Sequence, residues 1–179
     1  MPDLTAGRAK TPSLRMALRA ATAVDHEAVD AAFSRFDLTS LESYTQFLLA
    51  HARALGPLET AVAGIWSASR ERYPLLASDL ADLGVESSSD GALVLSGEAA
   101  AWGVIYVLEG SRLGGSILAK CVADGLPVRY LSAAHEDGSW RQFAEALELA
   151  GGSEGGAWRD AAISGAKSAF ARFAKAAAL

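Results

Sequence analysis

The stretch that decides the fold is Trp102-Gly-Val-Ile-Tyr-Val-Leu-Glu-Gly-Ser-Arg-Leu-Gly-Gly-Ser-Ile-Leu-Ala-Lys120. Its apolar spacing predicts a helix, yet glycine occupies positions 103, 110, 114 and 115. Each interior glycine costs a helix about 1 kcal/mol relative to alanine. Four such costs in one apolar helix indicate that something lies against its backbone or bends it. Either a tight crossing with another helix or a large flat ligand would explain them.

The bulk properties around this stretch describe one globular domain. The chain has 179 residues, of which 51% are hydrophobic and 21% charged, with a formal net charge of -5. This acidity argues against a nucleic-acid partner, and the longest apolar run is too short for a membrane span. We therefore expect a cytoplasmic protein with no membrane segment, divided into an N-terminal tail (1–12) and one domain (13–179).

Helical spacing dominates the rest of the chain. Thr11-Pro12 is typical of a helix start, and this first helix is expected to reach about Phe33. Thr39–Glu42 forms a capping-box pattern that opens a long helix toward Ser69, kinked but not ended by Gly56-Pro57. Ser96 is the expected cap of the glycine-bearing helix. Three further helices are predicted over about 75–83, 140–150 and 156–177. The sequence thus predicts a single-domain, all-α bundle.

Two helices carry groups that could hold a ligand. On the first helix, Arg19 and His26 are seven residues apart, so they share a face about 10 Å apart along the axis. Asp30 lies one turn beyond His26. A neutral imidazole is the usual axial ligand of haem iron, a nearby carboxylate can orient it, and an arginine can pair with a propionate.

The glycine-bearing helix offers a complementary face. A helical wheel places Gly110, Ser111 and Gly114 on one side, together with Val107 and Leu118, and it places Arg112 roughly opposite. Such a face leaves room for a planar ligand, although close helix packing through small residues would explain it as well.

The two helices together resemble those of haem oxygenases. Leu18-Arg-Ala-Ala-Thr-Ala-Val-Asp-His-Glu-Ala-Val-Asp30 is similar to their proximal helix, and Tyr106-Val-Leu-Glu-Gly-Ser-Arg-Leu-Gly-Gly115 to their distal helix. The second motif is most similar to the bacterial branch often encoded beside bacteriophytochromes. The resemblance spans about residues 14–175 and implies a haem-oxygenase-like helical bundle.

The resemblance also implies an activity. Haem, which is both substrate and cofactor, would lie between the two helices with His26 as the proximal iron ligand. Dioxygen would bind on the opposite face, beside the catalytic segment Gly110, Ser111 and Gly114. With O2 and reducing equivalents, such enzymes convert haem to biliverdin, carbon monoxide and ferrous iron. The remaining haem contacts are predicted at Arg19, Asp30, Tyr106, Gly115, Arg141 and Phe170.

Two positions depart from the family pattern. Ser111 stands where many members carry an aspartate, so the proton relay is expected to be built differently, and haem binding without turnover is an open alternative. Arg141 fits one of two basic propionate contacts of the animal enzymes, but Glu145 falls on the other. Which meso carbon is cut stays open.

Electrons must come from a partner, since the chain has no flavin or iron–sulfur motif. We expect a ferredoxin or a flavin reductase as donor. It would dock on a local basic patch formed by Arg19, Arg112, Lys120 and Arg129. The branch similarity also implies a bacteriophytochrome as a partner that takes up the product.

Two histidines remain besides His26. His51 is predicted to be a hydrogen-bonded core or groove residue, and His135 to be exposed in its loop.

Besides an oxygenase, the sequence leaves open a haem carrier or sensor of the same fold and a non-haem member of the scaffold, such as a vitamin-precursor hydrolase.

Overall fold

The computed structural model describes residues 13–152 and 154–179, and these contain eight α-helices and no β-strand. The helices are α1 Leu14–Ala21, α2 Ala23–Phe33, α3 Leu41–Val62, α4 Tyr73–Asp82, α5 Glu98–Leu118, α6 Arg129–Ser132, α7 Ser139–Gly151 and α8 Gly156–Ala177. A short 3-10 turn, Ala119–Cys121, follows α5. The predicted all-α bundle is confirmed. None of the described helices has the length and apolarity needed to cross a membrane.

The close crossing of α5 with α8 forms the centre of the bundle. A Cβ atom added to Gly103 would lie 1.8 Å from the Ala162 carbonyl oxygen, and one added to Gly165 would lie 2.0 Å from the Ala100 carbonyl oxygen. Real Cβ atoms do not approach backbone this closely, so both positions require glycine. Helix packing therefore explains the first of the four glycines in α5.

The predicted first helix is interrupted at Thr22, which separates α1 from α2. Thr22 has φ −114° and ψ 9°, and its hydroxyl donates a hydrogen bond to the Leu18 carbonyl at 2.8 Å. Such back-bonding by threonine offers the backbone an alternative to regular helix and often bends it. Ser13 caps α1 by accepting from the Met16 amide. The predicted Thr11-Pro12 start and the tail 1–12 lie outside the described residues.

Several helix boundaries differ from those predicted. Ser40 is the N-cap of α3, and the helix continues through Pro57 as predicted but ends at Val62 rather than near Ser69. Gly64, at φ +79°, turns the chain there. Gly97, at φ +126°, precedes α5 in place of the predicted cap Ser96. The sequence did not predict α6, whereas the bounds of α7 and α8 agree with the prediction to within a residue.

Candidate functional site

A cavity of about 790 Å³ lies between the α1–α2 segment and α5. This volume falls in the range of small-molecule sites in proteins. Nine of the ten residues predicted as iron ligand, catalytic segment or haem contact line it: Arg19, His26, Asp30, Tyr106, Gly110, Ser111, Gly114, Gly115 and Phe170. Residues distant in sequence thus meet around one space.

His26 presents an oriented imidazole at this cavity. Its Nδ1 lies 3.0 Å from an Asp30 carboxylate oxygen one helical turn away. The ring also meets Phe170 edge-on, with centroids 5.7 Å apart. Because Nδ1 is engaged by the carboxylate, Nε2 is the nitrogen left for a ligand. An imidazole with a carboxylate partner is the usual arrangement of a metal-ligating histidine, so the donor set fits the iron of haem.

The four glycines of α5 serve two purposes. No heavy atom lies within 4 Å of a Cβ built at Gly110 or Gly114, and both residues line the cavity. At Gly115 the added Cβ would lie 3.2 Å from the Leu131 carbonyl oxygen, and Gly103 packs against α8. Helix packing thus explains Gly103 and Gly115. Gly110 and Gly114 leave the backbone of α5 uncovered where it forms one wall of the cavity.

Ser111 is bound to an arginine that the sequence did not single out. Arg72, only 3% exposed, donates from Nη2 to Ser111 Oγ at 2.6 Å and to the Leu108 carbonyl at 3.0 Å. Ser111 itself donates to that carbonyl at 2.7 Å. Arg72 also lines the cavity, and its Nε has no hydrogen-bond partner among the described residues. A buried guanidinium therefore lies beside the serine that replaces the usual aspartate.

Glu59 of α3 fixes the position of Arg72. Its two carboxylate oxygens accept the backbone N–H groups of Arg72 at 2.8 Å and Tyr73 at 3.0 Å, at the start of α4. Burial raises the pKa of Glu59, while these hydrogen bonds and the charge of Arg72 lower it. A carboxylate at a helix N-terminus stabilises that helix, so Glu59 holds α4 and the arginine together.

His51 is a groove residue, as the sequence predicts. Its Nδ1 lies 3.0 Å from the Phe47 carbonyl oxygen, and the ring lines the cavity. Burial lowers the pKa of His51 from 6.5 to about 4, an effect that the Phe47 hydrogen bond opposes and the Arg72 charge reinforces. The imidazole is therefore neutral at pH 7. Since a carbonyl only accepts, Nδ1 carries the hydrogen and Nε2 is a free acceptor.

The lowered pKa of His51 predicts that stability falls on acidification. Between pH 6.5 and pH 4 the unfolded chain takes up a proton at this residue that the folded chain does not. The loss reaches at most roughly 3 kcal/mol, since water in the cavity screens the charge. Urea unfolding of haem-free wild type and His51→Phe at pH 7 and pH 4.5 measures it. If the free energy of unfolding of wild type depended on pH as weakly as that of the variant, the lowered pKa of His51 would be contradicted.

Basic residues from α1 stand at one side of the cavity. Arg15 and Arg19 both line it, and their charges lower the pKa of Tyr106 while burial raises it more strongly. Arg15 was not singled out by the sequence. Arg141 does not line the cavity: its side chain is 83% exposed, and Nε lies 4.0 Å from a Glu145 oxygen. The structure therefore gathers α1 arginines at the site and leaves Arg141 apart.

The expected basic patch is incomplete. Arg112 is only 7% exposed, because Nε donates to Glu109 at 3.0 Å and the guanidinium also binds the Arg70 and Ala133 carbonyls. Arg129 pairs with Asp79 and Asp82 at 3.0 and 2.6 Å. Arg19 and Lys120 remain exposed.

The expected exposure of His135 is wrong: its side chain is 8% exposed and lies 3.6 Å from Glu109. Its hydrogen-bond partner is the carbonyl of Glu109, 26 positions away, a contact that local sequence does not reveal.

The fold and the site define a helical protein with a ligand cavity between an oriented histidine and an open glycine backbone. No family model matches the chain. It is 36% identical over 146 residues to a haem oxygenase of Xanthomonas campestris pv. campestris (strain 8004). The match covers 74% of this chain and 87% of the relative. The chain belongs to the haem oxygenase family.

A solved structure agrees with this assignment. The fold is similar to that of the haem oxygenase of Neisseria meningitidis, determined with bound NO and CO, with a TM-score of 0.80 and 27% sequence identity. The match covers 92% of this chain and 90% of the other.

Proposed function

We propose that this chain is a haem oxygenase that converts haem, O2 and reducing equivalents to biliverdin, carbon monoxide and ferrous iron. The observation that carries the proposal is the pairing across one cavity of His26 with the open backbone at Gly110 and Gly114. Bound haem would supply the iron that activates oxygen and the ring that is oxidised. The protein's residues bind and orient it and control access and protons.

On the proximal side, His26 Nε2 is the proposed iron ligand. The Asp30 carboxylate, 3.0 Å from Nδ1, orients the ring and raises its basicity as a ligand. Phe170 meets the imidazole edge and restricts its rotation. The two interactions prepare the histidine before haem arrives, which lowers the cost of ordering it on binding.

On the distal side, Arg72 and His51 take over part of the role of the usual aspartate. Ser111 already donates to the Leu108 carbonyl and accepts from Arg72, so it has one lone pair left for a water. Arg72, whose Nε is buried, fixes the Ser111 hydroxyl through Nη2, and neutral His51 can accept from a water through Nε2. Waters held between Ser111 and His51 are the proposed path by which protons reach the oxygen site.

The arginines of α1 are proposed to bind the haem propionates. Charged guanidinium–carboxylate pairs are strong when they are partly shielded from water. Tyr106, on which both Arg15 and Arg19 act, can donate a hydrogen bond to the same carboxylates. Arg141 is left out of this set because it does not line the cavity.

Removing one of these arginines is expected to weaken haem binding. Arg19→Ala should raise the dissociation constant for haem about 10-fold, the effect of losing one charge-assisted hydrogen bond, and should alter the proportions of biliverdin isomers. Spectroscopic titration and product chromatography measure the two effects. Arg141→Ala, which also removes an exposed arginine, is the control and should leave both within about twofold of wild type. Equal effects of the two variants would rule out a specific contact at Arg19.

The electron donor is proposed to be a ferredoxin or a flavin reductase that approaches the mouth of the cavity. Arg19 and Lys120, both exposed, would attract an acidic donor. The distal motif Tyr106–Gly115 also supports a bacteriophytochrome as the acceptor of biliverdin, through its resemblance to the phytochrome-associated branch.

The absorption spectrum of the haem complex under reductant and air distinguishes an oxygenase from a carrier. Haemin added to the protein should produce a Soret band that decays when ascorbate is supplied under air. A Soret band that persists under these conditions would instead assign the chain as a haem carrier or sensor, the alternative that Ser111 raises.

A further inference from the structure

The two carbonyl groups just before Gly110 accept hydrogen bonds from outside their helix. Arg72 Nη2 donates to the Leu108 carbonyl at 3.0 Å, and His135 Nε2 lies 2.9 Å from the Glu109 carbonyl oxygen. A carbonyl oxygen has two lone pairs, so it accepts such a donor in addition to a helical amide. Since the carbonyl cannot donate, Nε2 of His135 carries the hydrogen.

His135 belongs to a network on the face of α5 opposite the cavity. Its Nδ1 lies 3.6 Å from a Glu109 carboxylate oxygen, and that carboxylate also accepts from Ser69 at 3.1 Å and from Arg112 at 3.0 Å. Arg112 in turn donates to the Ala133 carbonyl at 3.3 Å. The network thus fastens the loop before α7 to the back of the glycine-bearing helix.

The supported segment carries the two glycines of α5 that face the cavity without packing partners. Gly110 and Gly114 each cost helix stability of about 1 kcal/mol relative to alanine. On the cavity side no atom lies within 4 Å of a Cβ built at either glycine, so no packing there compensates for these costs. Arg72 supports this backbone through the Leu108 carbonyl, and on the opposite face His135 binds it through the Glu109 carbonyl.

We propose that His135 is a positioning residue that fixes the backbone of the distal glycine segment and thereby determines which part of the haem ring is open to oxygen. The effect on haem rests on the proposed function, whereas the effect on the backbone does not. His135 lies outside the cavity lining, although its ring meets that of the lining residue Trp140 edge-on, with centroids 5.8 Å apart, and it does not touch the proposed reacting atoms. It acts through the Glu109 carbonyl and the segment that follows.

Hydrogen–deuterium exchange of the haem-free protein tests the backbone effect. His135→Leu should raise exchange at amides 110–118 about tenfold, the factor that one hydrogen bond of ordinary strength supplies. His135→Gln, which keeps a side-chain N–H donor, should restore most of the protection. Glu136→Gln weakens only the exposed pair with Arg70, at 3.5 Å in the same loop, and should leave exchange within about twofold.

Two outcomes would overturn the proposal. Unchanged exchange at 110–118 in His135→Leu would show that the histidine does not support this segment. A uniform increase over all helices would show a general loss of stability instead of local support.

Product analysis tests the consequence for haem. With wild-type protein as reference, His135→Leu should give a changed proportion of biliverdin isomers while His135→Gln should not. Unchanged proportions in the leucine variant would refute the role in ring selection. Absence of biliverdin from wild type would refute the proposed function, and the exchange experiment would still decide the backbone effect.

Discussion

His26→Ala is expected to abolish turnover and to lower the affinity for haem at least about 100-fold. Loss of groups that merely orient a metal ligand costs 10–100-fold, so loss of the ligand itself should cost at least as much. Asp30→Ala, which removes the carboxylate 3.0 Å from Nδ1, should fall within that smaller range. Titration with haemin, followed by absorption and electron paramagnetic resonance spectra, measures both variants.

Three control measurements test whether the effect of His26→Ala comes from loss of the iron ligand. Glu27→Ala removes a neighbouring side chain that also lines the cavity and should bind haem normally. His51→Phe should keep the spectrum of a histidine-ligated iron, although His51 faces the same cavity. Added imidazole should restore that spectrum in His26→Ala. An unchanged spectrum in His26→Ala, or its loss in His51→Phe, would move the iron ligand away from His26.

Gly110→Leu is expected to separate stability from activity. Because nothing lies within 4 Å of the added Cβ, the haem-free variant should fold, with stability raised by up to about 1 kcal/mol through better helix propensity. The leucine side chain would occupy the space proposed for oxygen, so turnover should fall at least about 10-fold. Thermal unfolding of the haem-free protein and a turnover assay measure the two effects.

Gly103→Ala is the matched control on the same helix. Its Cβ would lie 1.8 Å from the Ala162 carbonyl oxygen, so the α5–α8 crossing must open to accept it. This variant should be strongly destabilised whether or not haem is present. If Gly110→Leu lost as much stability as Gly103→Ala, the space at Gly110 would not be open. If Gly110→Leu kept the wild-type turnover rate, this backbone would not be the face on which oxygen binds.

Local patterns in the sequence predicted most of the helices. Gly151-Gly152 marked the end of α7, and the alanine-rich run to Ala177 marked α8, because capping and periodicity are short-range effects. The break at Thr22 was missed, since threonine inside a helical pattern only sometimes back-bonds to the preceding turn. The predicted helix runs past Val62 because glycine also occurs inside helices, and only the folded chain shows Gly64 at φ +79°.

The site was predictable where the pattern was helical. The His26–Asp30 spacing and the glycine face were visible because residues on one helix keep a fixed geometry. Arg72 and His135 were not, because their partners Ser111 and Glu109 lie 39 and 26 residues away in sequence. Nothing local distinguishes Arg72 from Arg70. Contacts between distant segments decide which polar residues are buried, and only the folded chain brings them together.

We propose that one cavity holds haem on His26 and opens the ring beneath Gly110 and Gly114. The most direct test is the yield of a single turnover of the haem complex with ascorbate under air, with catalase present to remove free peroxide. We expect about one biliverdin and one carbon monoxide for each haem, since the bound ring is itself the substrate. Recovery of intact haem, with neither product formed, would contradict it.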